Sequence, residues 1–530
     1  MPMTDELSFG LPEALTADVV VVGAGASGMV AALSAAESGD SVILLEKSLK
    51  MGGAMLTVPG IISINQLELM TTIFYDRLDR DFTTLVDHHY CDSPELDFFS
   101  SRYRQAKNPD LENNLELIKV FDANIDSTCD WLKKMGVILD GLPLPDEYPG
   151  SENLISFPDA STLFRCVADQ LKKHDVRVIT DARAIGLLMN GDRVHGVEVD
   201  FMYSRRDLDN LDVVGVRATK GVVLATGDFS GNDSLKTRYL DPVAAMARGR
   251  ESANTGDGHI MGQQLKVPIL NPGLVWGPRL CFKAPGPVPD PVTSNKTWIS
   301  RLSQLGLGGL TKKKRQRGYL GRVIHLMNPR LEIIRYGALL CDDKGELVTD
   351  PSARGLSGDH PDREYWMVFN SSIAQRLREN NCPIGEIPAL MHGTLDDYIR
   401  LDTNQLLVAR SPEELADQTD LSAHHLQVLF DTMASSLNAN HGHNNEKESE
   451  YYALGPLANK VITTGGGLKV SDELEVVDQD GKVLNGLFAV GSVGQAGLIL
   501  PGDGFHLAWA LVSGRLAGRA LAKTPVQISI

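Results

Sequence analysis

The sequence predicts an α/β fold: a Rossmann-like dinucleotide-binding domain built from N- and C-terminal segments, with an α+β capping domain inserted between them. Three observations predict it. A glycine turn follows a valine strand near the start, further glycine turns close apolar strands up to the C-terminal region, and the stretch from about 268 to 440 has no nucleotide-binding glycine pattern. The 530 residues are also too many for one ordinary core.

The first element is the segment ADVVVVGAGASGMVAAL from Ala17. Its valines read as a buried parallel strand. Gly23, Gly25 and Gly28 then form GxGxxG, opening a helix through Ala36, with Ala26 and Ser27 in its first turn. The first glycine permits the turn, the second admits a pyrophosphate, and the third lets helix and strand pack closely. Free amides at the helix start meet the phosphate charge. Ser41–Leu45 is the second strand, and Glu46 at its end is placed for ribose hydroxyls.

The segment after Glu46 selects the nucleotide. Lys47 leads into a second glycine loop, Gly52, Gly53, Ala54 and Met55, which reaches Gly60 and Ile61. A nicotinamide domain would continue with another strand–helix unit. A chain running along the pyrophosphate toward an isoalloxazine fits FAD instead. Val176–Leu188 and Asp192–Val199 read as strands joined by a tight turn, with Ala184 on the cofactor side. Gly221–Leu224 is a strand whose turn carries Ala225, Thr226 and Gly227. Asn254, Thr255 and Asp257 lie in a glycine loop opening a helix. Gly486–Val490 ends in the turn Gly491–Ser492. The amides of Gly504, His506 and Leu507 begin a last helix facing the flavin pyrimidine.

The order EKxxxxGG, ATGxFxGN, NTGDGxxMG, TTGGGLKV and GLFAVGSV resembles the fumarate reductase/succinate dehydrogenase flavoprotein family, which includes 3-ketosteroid dehydrogenases. The match covers most of 17–266 and 450–522. It implies FAD bound by segments 1–267 and 441–530, with a cap over 268–440. Covalent flavin members carry a histidine after the double glycine. Ala54–Pro59 has none, so non-covalent FAD is expected.

The resemblance also implies roles. Arg354 matches the family's proton-donating cap arginine, or else pairs on the surface with an acid such as Asp350. Tyr452 matches a ketone-polarising tyrosine, or else packs cap against flavin domain; Tyr148, Tyr239 and Tyr365 are further candidates. His506 bonds the flavin or a substrate carbonyl, or caps its helix. Thr463 stands where fumarate reductases carry a histidine, and no arginine lies between Gly491 and Ser513. A dicarboxylate needs bidentate cations, so the expected substrate is a largely neutral carbonyl compound, a cyclic ketone, enone or steroid-like molecule. The expected enzyme makes or reduces the C–C double bond beside that carbonyl, with direction and electron donor or acceptor open. The alternatives are an ene-reductase for an unsaturated acid, clamped by cap arginines such as Arg322 or Arg335, and a flavin-carrying electron-transfer subunit.

Composition sets limits. A net charge of −17 argues against a nucleic-acid partner. Six cysteines without a CxxC pair suit a cytoplasmic thiol protein and offer no iron–sulfur or haem site. No run of about 18 apolar residues marks a membrane span. The basic run at Lys312 reads as a solvated loop. HGHNNEKESE from His441 reads as a polar linker, so no metal is expected.

Overall fold

The computed structural model describes residues 15–58, 61–63, 104–105, 112, 114–141, 154–156, 160–201, 213–283, 320–321, 324–351, 356, 362–387, 391–441, 450–500 and 504–525. The first strand, β1 (Leu15–Val22), is buried on both faces along its valines. Helix α1 (Ala26–Glu37) follows and leads to β2 (Val42–Leu45), which pairs parallel with β1 from Val19↔Val42 to Val22↔Leu45. Helices α2 (Leu115–Lys134) and α3 (Ala160–Lys173) precede β3 (Arg177–Ile179), parallel to β2. The hairpin β4 (Ala182–Asn190) and β5 (Arg193–Phe201) turns at Gly191, whose φ is +61°. β6 (Val213–Leu224) pairs parallel with β1 and antiparallel with β5, and α4 (Asp257–Gln264) lies further along the chain, beyond two short helices.

A second unit is built on an antiparallel sheet of β7 (Arg279–Phe282), β8 (Leu339–Asp342), β9 (Glu364–Asn370) and β10 (Leu406–Ala409). Helix α5 (Ser371–Glu379) starts on an Asn370 cap, and α6 (Ala423–His441) packs nearby. The central strand is β11 (Tyr451–Val461), which pairs with β7, β9 and β10. Its residues are buried on both faces because strands flank it and helices cover it. The second sheet thus includes a strand beyond residue 440, and the end of that strand, Lys460–Val461, pairs parallel with Arg248–Gly249.

The return completes the first sheet. β12 (Val483–Ala489) pairs parallel with β6, from Val222↔Leu487 to Leu224↔Ala489. Helix α7 (Phe505–Ala522) then lies along α1. The parallel order β3–β2–β1–β6–β12 thus joins the first and last parts of the chain, as the sequence predicts. Two main hydrophobic clusters result, one around β1, α1 and α7, the other around β9 and β11. Among the described residues no helix is long and apolar enough to cross a membrane.

Candidate active site

The sheet's carboxyl end opens on a cavity of about 460 Å³, the usual ligand position in a parallel α/β sheet. Gly23 reaches it in a left-handed conformation, φ +100°. A Cβ on Gly28 would stand 1.8 Å from the Gly23 carbonyl oxygen, so this glycine serves packing and does not line the cavity. Gly25 does line it, and a Cβ there would meet no atom within 4 Å, leaving the approach to α1 open. Neither α1, capped by Gly25, nor α7, capped by Gly504, has a side-chain cap. The first turns of both helices line the same space, with Ala26 and Ser27 on one helix and His506 and Leu507 on the other.

Glu46 is buried, and its carboxylate accepts from the amides of Ala24 and Ser48, both at 2.8 Å. Lys47 Nζ donates to Asp257 Oδ2 at 2.9 Å and to the Thr255 hydroxyl, while Arg183 Nη2 donates to Asp257 Oδ1 at 2.8 Å. Burial pushes the Asp257 carboxyl up, but the Lys47 charge and these hydrogen bonds outweigh it and hold the group below its ordinary value. Glu46, Lys47, Asn254 and Asp257 line the cavity; Thr255 only braces it. Gly53, Ala54 and Met55 line it in a short 3-10 turn, whereas Gly52 donates its amide to Ala24 and Ile61 lies in a separate small strand. Gly60 lies outside the described residues. Ala184, the turn Ala225–Gly227 and Gly491–Ser492 complete this wall.

The cavity also gathers residues that the motifs did not identify. Asp228 is buried in its wall and accepts from Ser230, from the Thr464 amide at 3.0 Å and from the Thr463 hydroxyl at 2.5 Å. Glu251 lines it, and burial, then the Asp228 and Glu46 charges, push its carboxyl up. Arg250 donates to the Thr57 carbonyl at 2.9 Å. Trp276 pairs with Thr463 across two short strands and lies 5.6 Å from the His506 ring. Arg279 stands over the Trp276 ring as well, its Cζ 5.6 Å from the ring centre. The signal in the sequence was LVWGPR, an apolar strand ending in a Gly–Pro turn before a cation.

Of the two candidate catalytic residues among the described residues, His506 lines the cavity and Tyr452 does not. Arg354 lies outside the described residues, as do Tyr148 and Arg322. Tyr452 is a correction to the expectation: it is fully buried in the second core and not in the cavity wall. Its ring stacks on Phe369 at 5.0 Å and its hydroxyl donates to Glu450, with burial and then that carboxylate pushing it up to about 12. The pairing Phe369↔Tyr452 turns the side chain into the second core rather than toward the nucleotide. Tyr239 and Tyr365 are likewise engaged elsewhere, with Gln263 and the Leu356 carbonyl. Arg335 also stays outside the wall.

Glycine turns without side chains, two uncapped helix starts and a buried acid at the end of β2 fit FAD. Comparison with known proteins agrees. NADH:fumarate oxidoreductase of Klebsiella pneumoniae is 22% identical over 96% of this chain, but the chain spans only 48% of that relative's length. Vinyl phenol reductase of Lactiplantibacillus plantarum is 24% identical, over 97% of this chain and 98% of the relative. Among solved structures, an open flavocytochrome c3 fumarate reductase superposes with a TM-score of 0.61 at 18% identity, over 96% of this chain and 78% of that one. The 3-ketosteroid Δ1-dehydrogenase of Sterolibacterium denitrificans gives 0.54 at 16% identity, over 96% and 99%. The profile described as FAD binding domain matches residues 18–500, and the chain belongs to that FAD-binding family.

Proposed function

We propose that this protein is an FAD-dependent oxidoreductase that forms or reduces a C–C double bond conjugated to a carbonyl group. One observation carries the reading: the cofactor wall and the polar group Trp276, Arg279 and His506 share a single cavity. Bound FAD supplies hydride chemistry at N5. The residues then position the substrate carbonyl and stabilise the charge that develops on its oxygen. His506 and the first amides of α7 offer such donors. A proton at the neighbouring carbon comes from a group in the cavity or from Arg354.

A neutral enone or cyclic ketone is the first substrate class, and the likeness to a ketosteroid dehydrogenase fold is compatible with it. The unsaturated-acid reading is favoured by a separate observation. Arg250 and Arg279, neither of them assigned from the sequence motifs, both line the cavity. The test is anaerobic mixing of dithionite-reduced protein with enones and unsaturated acids, and of oxidised protein with their saturated forms. We expect return of the flavin band near about 450 nm with the unsaturated compounds. If neither set changes the flavin, the protein passes electrons to a partner and the small-molecule reading fails.

A further inference from the structure

We propose that Arg279 is a specificity-determining residue that holds a carboxylate of the substrate, carried on the same conjugated frame as the reacting double bond. This deepens the conjugated-carbonyl reading and rests on it. The cations around the cavity differ in their partners. Lys47 and Arg183 share Asp257. Arg250 is tied to the Thr57 carbonyl, and Lys50 lies exposed at the rim. Arg279 differs from all of them. Among the described residues its guanidinium has no carboxylate and no hydrogen-bond acceptor, and its Nε is buried.

Its side-chain contact among the described residues is the Trp276 face, and Trp276 is only 4% exposed. That contact orients a cation but leaves its charge and its five N–H donors unanswered. A guanidinium N–H withdrawn from water without an acceptor, as at the buried Nε of this half-buried arginine, is costly, and a carboxylate matches the planar fork with two parallel hydrogen bonds. Trp276 joins Arg279 to His506 and, across the strand pair, to Thr463. A planar conjugated acid lying along this row would present its carboxylate to Arg279.

The flavin pyrimidine is the other possible anion at this end of the cavity, and the test separates the two. Holo-protein is titrated with trans-cinnamate and with benzylideneacetone, which replaces the carboxylate by a methyl ketone on the same frame. Affinity is read from the flavin absorbance change, and the flavin midpoint potential is measured in parallel. Arg279→Gln should weaken cinnamate binding roughly 10- to 100-fold and leave the ketone within about twofold. Arg279→Lys should recover part of the loss, because it restores charge without the fork.

The proposal is overturned if cinnamate affinity is unchanged in Arg279→Gln, or if wild-type protein binds the ketone and not cinnamate. It is overturned in favour of the flavin if acid and ketone weaken together while the midpoint potential falls. Cinnamate binding lost only in Arg279→Gln, with neither compound reoxidising reduced protein, would uphold the anion site and refute the reaction.

Discussion

His259 sits wholly buried on α4, edge-on to Phe229 at 5.3 Å, with Nε2 at 2.9 Å from the Gly466 carbonyl oxygen. Burial pulls its proton affinity below the ordinary 6.5, against the opposing effects of that carbonyl, Asp228 and Asp257. The ring is therefore neutral, and Nε2 donates. The unfolded chain takes up a proton near pH 6.5 that the folded chain refuses, so stability contributed by this residue falls as pH drops below about 6.5. Melting temperatures across about pH 5 to 8 should slope less in His259→Gln than in wild type. An unchanged slope would assign the titration to another group. Other single residues differ in how far the sequence reveals them. Gly23, Gly25 and Glu46 were legible because one short motif contains both the fold and the ligand. Arg279 and Trp276 were not, since they reach the cavity from the start of β7 and the short strand before it, pieces that pair far along the chain. Tyr452 misled because a local motif says nothing about which core its strand faces.

At the scale of elements, the contact between α1 and α7 sets the cradle. A Cβ on Gly514 would stand 2.3 Å from the Ser27 carbonyl oxygen, and one on Gly518 would stand 2.4 Å from that of Ala31. The two helices touch backbone to backbone, and both begin at the cavity. Gly514→Leu should force them apart at a cost of about 3 kcal/mol or more, with loss of bound flavin. Gly136→Ala is the control. Its φ is +90° but a Cβ there meets nothing within 4 Å, so about 1 kcal/mol of backbone strain should leave the flavin content intact. Equal flavin in both variants would show that this helix pair does not shape the cradle. The alternating and glycine-bounded strands were readable from periodicity alone. The reach of the second sheet was not, because β11 is apolar on both faces and such a run fits either core.

The described residues form two main cores and a cofactor space. Ligand binding to the folded chain alone stabilises it, by about 2.7 kcal/mol at a hundredfold excess over Kd. Thermal melts should therefore rise by several degrees from flavin-free to flavin-loaded protein. Acid precipitation should release all the yellow colour, since Ala54–Val58 beside the cavity contains no histidine. Colour retained in the pellet would reveal a covalent bond.

The partnership of β12 with β6, and of α7 with α1, also fixes an order of events during synthesis. The glycine turn leaves the ribosome more than 450 residues ahead of the strand and helix that complete its pocket. Until then the nascent chain holds half a pocket, and Val222–Leu224 at the end of β6 lack their neighbour. Cofactor capture consequently waits for the segment made after the second unit, and until then those three residues stay open to other strands.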